Sequence, residues 1–234
     1  MNARTRRKLE MGARALSFSR EHDDASAGYI AAVARLADRL VLADHLAQQQ
    51  RSGTLQVRAA TSRKRYLRRT LRRGHLAHII RVARVAAREV PELAQKFVLK
   101  RGTIPYQTFL TAARGMANEA QNHRELLVRH GLVDRVLDDL LHALDQFEVA
   151  IDQGLEGRRI HVGASAKLDQ VADEVVDIVG LLDALNRLRF EHDAELQAAW
   201  GTASNVIAAP RARSASEDAP EDEGIDGGDV RPAA

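Results

Sequence analysis

Apolar residues recur mostly every three or four positions between residues 133 and 185, and this spacing constrains the fold more than any other feature of the sequence. Such spacing places apolar side chains along one side of an α-helix, whereas a half-buried strand would show strict alternation. The stripe consists of Leu137, Leu141, Leu144, Phe147, Ile151, Leu155, Val162, Leu168, Val171, Val175, Ile178, Leu182 and Leu185. Three glycines lie between residues 154 and 163, so two helices with a break at 154–165 are the alternative. We favour one long helix, bent or straight.

Similar stripes predict further helices at 5–21, 28–51, 55–89, 106–130 and 193–206. Gly53 follows the second of these, in the position after a helix C-terminus that glycine favours. Short connections at 52–54 and 131–132 imply antiparallel neighbours, and a loop at 98–105 separates two helical hairpins. The sequence therefore predicts an all-α fold, an antiparallel bundle of four or more long helices with short flanking helices and a disordered C-terminal tail.

Composition divides the chain into a folded part and a tail. The predicted bundle domain covers 1–207, with a short N-terminal helix at 5–21, core helices over 28–190 and a C-terminal helix at 193–206. Residues 208–234 are rich in Pro, Gly, Ser and acidic residues. Such a segment has too few apolar residues to bury a core, so it is predicted to be a disordered acidic tail.

Composition also disfavours several classes of function. The sequence contains no cysteine, which excludes disulfides, thiolate metal sites and a cysteine nucleophile. No segment approaches the ~20 apolar residues of a membrane span, and the N-terminal segment lacks the apolar core of a secretory signal. Glycine motifs for nucleotides and a nucleophile-elbow serine are also missing. We therefore expect a cytoplasmic protein without membrane insertion, more an interaction protein than an enzyme, with no cofactor.

Charge is distributed unevenly along the chain. Residues 51–101 contain 15 basic and 2 acidic residues, whereas residues 102–234 contain 12 basic and 24 acidic residues. The densest basic stretch is SRKRYLRRTLRR, residues 62–73, and Arg81, Arg84 and Arg88 follow it. Lys and Arg side chains neutralise phosphates, so the helix 62–88 is a candidate site for nucleic acid or polyphosphate. The candidate residues are Arg63, Lys64, Arg65, Arg68, Arg69, Arg72 and Arg73.

The acidic part of the chain offers another explanation for this basic helix. Residues 134–195 contain 15 acidic and 6 basic residues and would pack in the same bundle. Charged runs on helices are commonly solvated or paired faces. From the sequence we therefore favour a non-enzymatic interaction or scaffold protein that contacts itself or a protein partner through its apolar stripes. Polyanion binding is the alternative function.

A metal-dependent enzyme in the bundle core is a weaker alternative. Helical bundles build di-metal sites from Glu and Glu-x-x-His sets, but Glu-x-x-His does not occur in this sequence, so no metal site is predicted. The nearest candidates for ligands are His78, Glu119, His123, Asp139 and His142. The segment GRRIHVGAS, residues 157–165, would bind an anion only if the helix breaks there and frees N–H groups near Gly163.

Several segments resemble those of an uncharacterised group of bacterial all-helical proteins. They are RKLEMGARAL, ELAQKF, TAARGMANEAQ, LLHALDQFEVAIDQGLEGRR and ELQAAWGTASNV, and they span about residues 5–207. No activity is assigned to that group, so the resemblance implies no site residues. The stretch VRAATSRKRYLRR is similar to the Arg-rich helices of polyphosphate-binding CHAD domains. Those domains place a recurring His upstream, which this helix lacks, so the similarity is one of composition.

Overall fold

The computed structural model describes residues 1–100, 102 and 104–206, and within them the chain is helical and contains no strand. The helices are α1 (Ala3–Glu21), α2 (Ala27–Thr70), α3 (Leu76–Ala86), α4 (Leu93–Lys96), α5 (Tyr106–Asn122), α6 (Arg124–Arg129), α7 (Asp134–Arg189) and α8 (Ala194–Ser204). A π-helical turn, Leu71–His75, joins α2 to α3. The predicted all-α fold is confirmed. The predicted tail at 208–234 lies outside the described residues.

Helix α7 is one unbroken helix of 56 residues, which corresponds to a length of about 84 Å. The prediction of a single long helix is confirmed, and the alternative of a break near 154–165 is wrong. Gly154 and Gly157 are buried inside the helix, where α2 passes close by. These glycines therefore mark a helix crossing, which the sequence pattern alone could not distinguish from a bend.

Helix α2 is also continuous, and the predicted connection at 52–54 is wrong. Gly53 lies inside a helix of 44 residues that runs from Ala27 to Thr70. A Cβ atom at position 53 would lie 2.7 Å from the carbonyl oxygen of Gly157 and 2.8 Å from the amide nitrogen of His161. The glycine therefore allows two helix backbones to touch and does not end a helix.

Of two further predicted boundaries, one differs in detail from the structure and one agrees with it. The predicted helix 106–130 is divided into α5 and α6 by a turn at His123. The predicted connection at 131–132 is confirmed, and Gly131 adopts a φ of +101° there. A side chain would be strained in that left-handed conformation, so glycine suits this turn.

Helices α2 and α7 run antiparallel along most of their lengths. Arg39 Nε lies 3.2 Å from Glu174 Oε2, and Gln50 Nε2 donates to Ser165 Oγ at 2.6 Å. Residue numbers therefore increase along α2 in the direction in which they decrease along α7. The shorter helices pack against the two ends of this pair. No helix in the described part of the chain is long and apolar enough to cross a membrane.

The apolar core consists mainly of two clusters at the ends of the long pair, with a smaller cluster of Ala43, Leu46, Leu168 and Val171 between them. One cluster, around Phe109 and Phe147, lies where α3, α5, α6 and the π turn pack on the N-terminal half of α7. The other, around Phe18, Phe190 and Trp200, lies where α1 and α8 pack on its C-terminal half. Trp200 is buried in this second cluster.

Candidate polyanion-binding surface

The predicted basic site lies on the last turns of α2 and on the π turn that follows. Leu67 and Leu71 on this segment are buried in the cluster around Phe109 and Phe147. Their burial fixes the rotation of the helix, so the basic residues between them divide into side chains that flank the core and side chains that point away from it. The side chains of the two sets make different contacts.

Lys64 and Arg68 flank the core and are half-buried. The guanidinium carbon of Arg68 lies 5.6 Å from the ring centre of Tyr106 and 5.4 Å from that of Phe109. Arg68 Nη1 also donates to the carbonyl oxygen of Ile104 at 2.9 Å, and Lys64 Nζ lies 5.1 Å from the ring centre of Tyr106. These cations hold the start of α5 against α2 through cation–π contacts and a charge-assisted hydrogen bond.

Arg72 completes this attachment on the π turn. Its Nη1 donates to the carbonyl oxygen of Gly102 at 2.8 Å, and its Nη2 donates to that of Lys100 at 2.6 Å. The guanidinium thus satisfies two backbone carbonyl groups of the segment that precedes α5. Three of the seven predicted residues therefore serve the fold of this end of the molecule.

Arg65, Arg69 and Arg73 form the outer set and are exposed. They are spaced by four residues, about one helical turn or 6 Å. Within the described part of the chain, no carboxylate lies within ion-pair distance of any of them. Arg63 is also exposed, and its Nη2 donates to the neutral amide oxygen of Gln146 at 2.7 Å.

The continuous helix adds two residues that the sequence reasoning missed. Arg51 and Arg58 are exposed and precede Arg65 at intervals of seven residues, which is close to two helical turns. The predicted break at 52–54 had assigned them to different helices. Their spacing of seven residues is the sequence feature that indicates a shared helix face. We call the face formed by Arg51, Arg58, Arg65, Arg69 and Arg73 the arginine ridge; it is about 33 Å long.

The carboxylates of α7 do not cover the arginine ridge. Arg114 of α5 binds Glu148 at 2.6 Å and Asp145 at 3.3 Å, while Lys8 of α1 pairs with Asp173. The hydrogen bond from Arg114 holds the pKa of Glu148 below its ordinary value. The expectation that residues 134–195 neutralise the basic helix is therefore wrong for the residues that the structure describes.

The positive surface continues beyond the π turn. Arg81 and Arg84 are exposed on α3 and Arg88 is exposed in the turn that follows it, and none of them pairs with a carboxylate among the residues described. A guanidinium group presents a planar set of donors that matches a phosphate oxygen pair. The surface thus presents several donor sets of this kind.

The candidate metal ligands are not brought together. The candidates from the sequence are His78, Glu119, His123, Asp139 and His142. Over residues 1–100, 102 and 104–206, no three His, Asp or Glu side chains form a group that could hold a metal ion. Glu119 contacts His123 at 3.7 Å and pairs with Lys96 at 2.8 Å, whereas Asp139 and His142 bond within α7.

The segment 157–165 provides no free helix N–H groups for an anion. Helix α7 is unbroken there, so its N–H groups stay within the helix. His161 Nδ1 lies 3.0 Å from Thr54 Oγ1, and Arg159 pairs with Glu156 at 2.6 Å. These are ordinary positions near a helix crossing, as the sequence predicted for an unbroken helix.

Comparison with known proteins returned no match: no protein-family model matches the chain, nor does any curated protein or solved structure.

Proposed function

We propose that this protein binds a phosphate polyanion, the backbone of a nucleic acid or a polyphosphate chain, along the arginine ridge. The observation that carries the proposal is a line of five exposed arginines without a carboxylate partner in the described structure. Uncompensated positive charge destabilises a compact protein through self-repulsion, so a face of this kind suits an external anion.

The ridge supports a defined mode of binding. Each guanidinium that neutralises a phosphate releases condensed counterions, and this release drives association. Contacts to phosphates position a ligand without reading its bases. We therefore expect binding that depends steeply on salt and weakly on nucleotide sequence.

The core-flanking cations support the ridge indirectly. Arg68 and Arg72 fasten the segment before α5 to the end of α2. This attachment keeps α2 helical up to the π turn, so Arg69 and Arg73 stay in line with Arg65. The role of Arg68 and Arg72 is to position the arginine ridge.

Fluorescence anisotropy with labelled duplex DNA, single-stranded RNA and polyphosphate, measured from about 50 mM to about 200 mM salt, tests the proposal. The decisive variant replaces Arg65, Arg69 and Arg73 by Gln. If each arginine neutralises one phosphate, the slope of log affinity against log salt falls by about 2 to 3 on DNA. An affinity that ignores salt would contradict the proposal.

The matched control removes three other exposed arginines by the changes Arg6→Gln, Arg135→Gln and Arg159→Gln. Each of these side chains pairs with a carboxylate on its own helix, and the change in net charge is the same. We expect the control to keep most of the salt slope. An equal decrease of the salt slope in both variants would show that net charge, and not the arginine ridge, governs binding.

A second candidate function is the interaction or scaffold role that the sequence favoured. Its support is a group of exposed apolar side chains near the crossing of α2 and α7: Leu55 is 55% exposed, Leu155 64% and Val162 57%. Burying such surface against another helical chain is favourable. Light scattering over a concentration series tests it, with Leu155→Gln and Val162→Gln expected to weaken self-association. A monomer at every concentration would count against a self-associating scaffold.

A further inference from the structure

The arginine ridge is a helix face without a partner in the described structure. Over residues 1–100, 102 and 104–206, no carboxylate lies within ion-pair distance of its five arginines. Leu67 of the same helix packs into the core, so the ridge lies on the outer side of α2. A positive face of this kind attracts any carboxylates that can reach it. The chain itself supplies such carboxylates outside the described residues.

These carboxylates belong to EDAPEDEGIDGGD, residues 217–229, which we call the acidic segment. It contains seven acidic residues and no basic residue. The arginine ridge carries five positive charges, so the two charges are opposite in sign and similar in size. Carboxylates bind guanidinium groups through charge-assisted, often bidentate, hydrogen bonds. Charge complementarity therefore favours the acidic segment as the occupant of the ridge.

The point at which the described chain ends lies beside the first half of α2. Arg14 Nη2 donates to the carbonyl oxygen of Asn205 at 2.7 Å, which holds the end of the described chain against α1. Nearby on α1, a Cβ atom at Gly12 would lie 3.4 Å from Leu40 Cδ2. Val206, the last described residue, therefore lies near the level of Leu40 on α2.

From this level the acidic segment is long enough to reach the ridge. Arg51 lies about 17 Å beyond Leu40 along the helix axis, and Arg65 lies about 38 Å beyond it. The chain from residue 206 can span up to about 36 Å to Glu217 and up to about 76 Å to Asp229. A helix is about 10–12 Å thick, so both spans also allow for the path around α2. Glu217 can thus reach Arg51, and Asp229 can reach Arg65.

The spacing of the acidic residues also fits the ridge. Each acidic group of the segment begins three residues after the preceding group ends, which is about 10 Å in an extended chain. Arg51, Arg58 and Arg65 are seven residues apart, which is also about 10 Å along a helix. One acidic group can therefore lie beside each of these arginines.

We propose that the acidic segment binds the arginine ridge of its own chain and competes there with phosphate polyanions. The competition rests on the proposed function, whereas the contact within the chain rests on charge, reach and spacing alone. If the segment occupies the ridge in about nine molecules of ten, the apparent affinity for a polyanion falls about tenfold. Salt screens ion pairs at an exposed surface, so the contact weakens as the salt concentration rises.

Fluorescence energy transfer within the full chain tests the contact without any polyanion. The sequence contains no cysteine, so Ser62→Cys beside the ridge and Gly224→Cys in the acidic segment can carry a neutral donor and acceptor dye. We expect efficient transfer at about 50 mM salt and a clear loss at about 500 mM. The same loss is expected at about 50 mM salt when Arg51, Arg58 and Arg65 are replaced by Gln. An efficiency that does not change with salt would contradict the contact, and this salt series stands even if the ridge variant fails to fold.

The matched control for the ridge variant carries Arg6→Gln, Arg135→Gln and Arg159→Gln. It loses the same charge from arginines that pair on their own helices, and it should keep the energy transfer. Equal efficiencies in the ridge and control variants would overturn the proposed contact. An efficiency that rises with the concentration of labelled protein would also overturn it, because the segment would then bind a second copy of the chain.

Neutralising the acidic segment tests the competition. The variant carries Glu221→Gln, Asp222→Asn, Glu223→Gln and Asp226→Asn. Its affinity for polyphosphate should rise about tenfold at about 50 mM salt and by less at about 200 mM. The matched control neutralises four exposed acidic residues that have no ion-pair partner in the described structure, by the changes Asp138→Asn, Asp152→Asn, Asp177→Asn and Glu191→Gln. An equal rise in both variants would show an effect of net charge and contradict the competition.

The two experiments separate this inference from the proposed function. Salt-dependent polyphosphate binding, together with energy transfer that is the same in the ridge and control variants, would overturn the contact and leave the proposed function standing. Energy transfer that is lost only in the ridge variant, together with no polyphosphate binding even after the acidic segment is neutralised, would overturn the proposed function and the competition. In that case the contact between the acidic segment and the ridge would stand.

Discussion

The two long helices of this protein carry opposite charges and lie side by side, yet they hardly pair through charge. Helix α2 has nine basic and two acidic residues, and α7 has twelve acidic and six basic residues. Within the described structure, Arg39 and Glu174 form the one ion pair that joins them. Their contact is made by apolar side chains, glycines and small polar groups, and their charges lie on outer faces.

The outer faces differ in what packs against them. Lys8 of α1 and Arg114 of α5 reach carboxylates of α7, so part of its negative charge is matched by neighbouring helices. The arginine ridge of α2 points away from Leu67 and Leu71, which are the residues that pack on the core. Opposite charge on adjacent helices therefore predicts ion pairs between them only when the charged faces also contact each other.

The largest expected effect concerns the crossing that brings the two helices together. Gly53→Ala should lower the free energy of unfolding by about 1–3 kcal/mol, because the added Cβ would press on backbone atoms of α7. Gly163→Ala is the matched control, since no atom lies within 4 Å of its added Cβ. It should stabilise the helix by up to about 1 kcal/mol. Urea denaturation measures both, and equal stabilities would contradict a close crossing at Gly53.

An intermediate effect should separate the two sets of arginines on α2. Replacing Arg68 and Arg72 by Gln should lower the free energy of unfolding by about 1–2 kcal/mol, because three backbone carbonyl groups lose charged donors. Replacing Arg65 and Arg69 by Gln changes the net charge equally but should shift stability by no more than about 0.5 kcal/mol. Thermal unfolding followed by circular dichroism compares them. The assignment of the inner set to the fold fails if the second pair costs as much as the first.

The smallest expected effect tests the paired carboxylates of α7. Arg114 lowers the pKa of Glu148 in the folded state, mainly through its hydrogen bond. The stability from this pair is therefore present above the ordinary glutamate pKa of 4.5 and is lost as the pH falls through the lower folded value. Glu148→Gln should flatten the decline of the unfolding midpoint below pH 4.5. Asp152→Asn is the control, and an equal flattening there would contradict a specific role for the pair.

Much of the local structure followed from the spacing of apolar residues. The stripe through Leu144, Phe147 and Val175 identified α7 as a helix, and similar stripes predicted α1, α5 and α8. These predictions succeed because helical periodicity depends on neighbours in the chain. Gly53 misled the prediction because the same residue suits a helix end and a close crossing. Only the position of Gly157 on α7, against Gly53, distinguishes a close crossing from a helix end.

The candidate sites depended on contacts between distant parts of the chain. The sequence by itself determined the helical fold class, the apolar stripes and the strong positive charge of residues 51–101. The tertiary structure alone decided that Arg68 and Arg72 serve the segment before α5 while Arg65 and Arg69 remain exposed, and that the buried amide of Asn186 has no hydrogen-bond partner among the described residues. The physical reason is that burial and hydrogen bonding depend on which helix packs on each face, and residues far apart in the sequence set that packing.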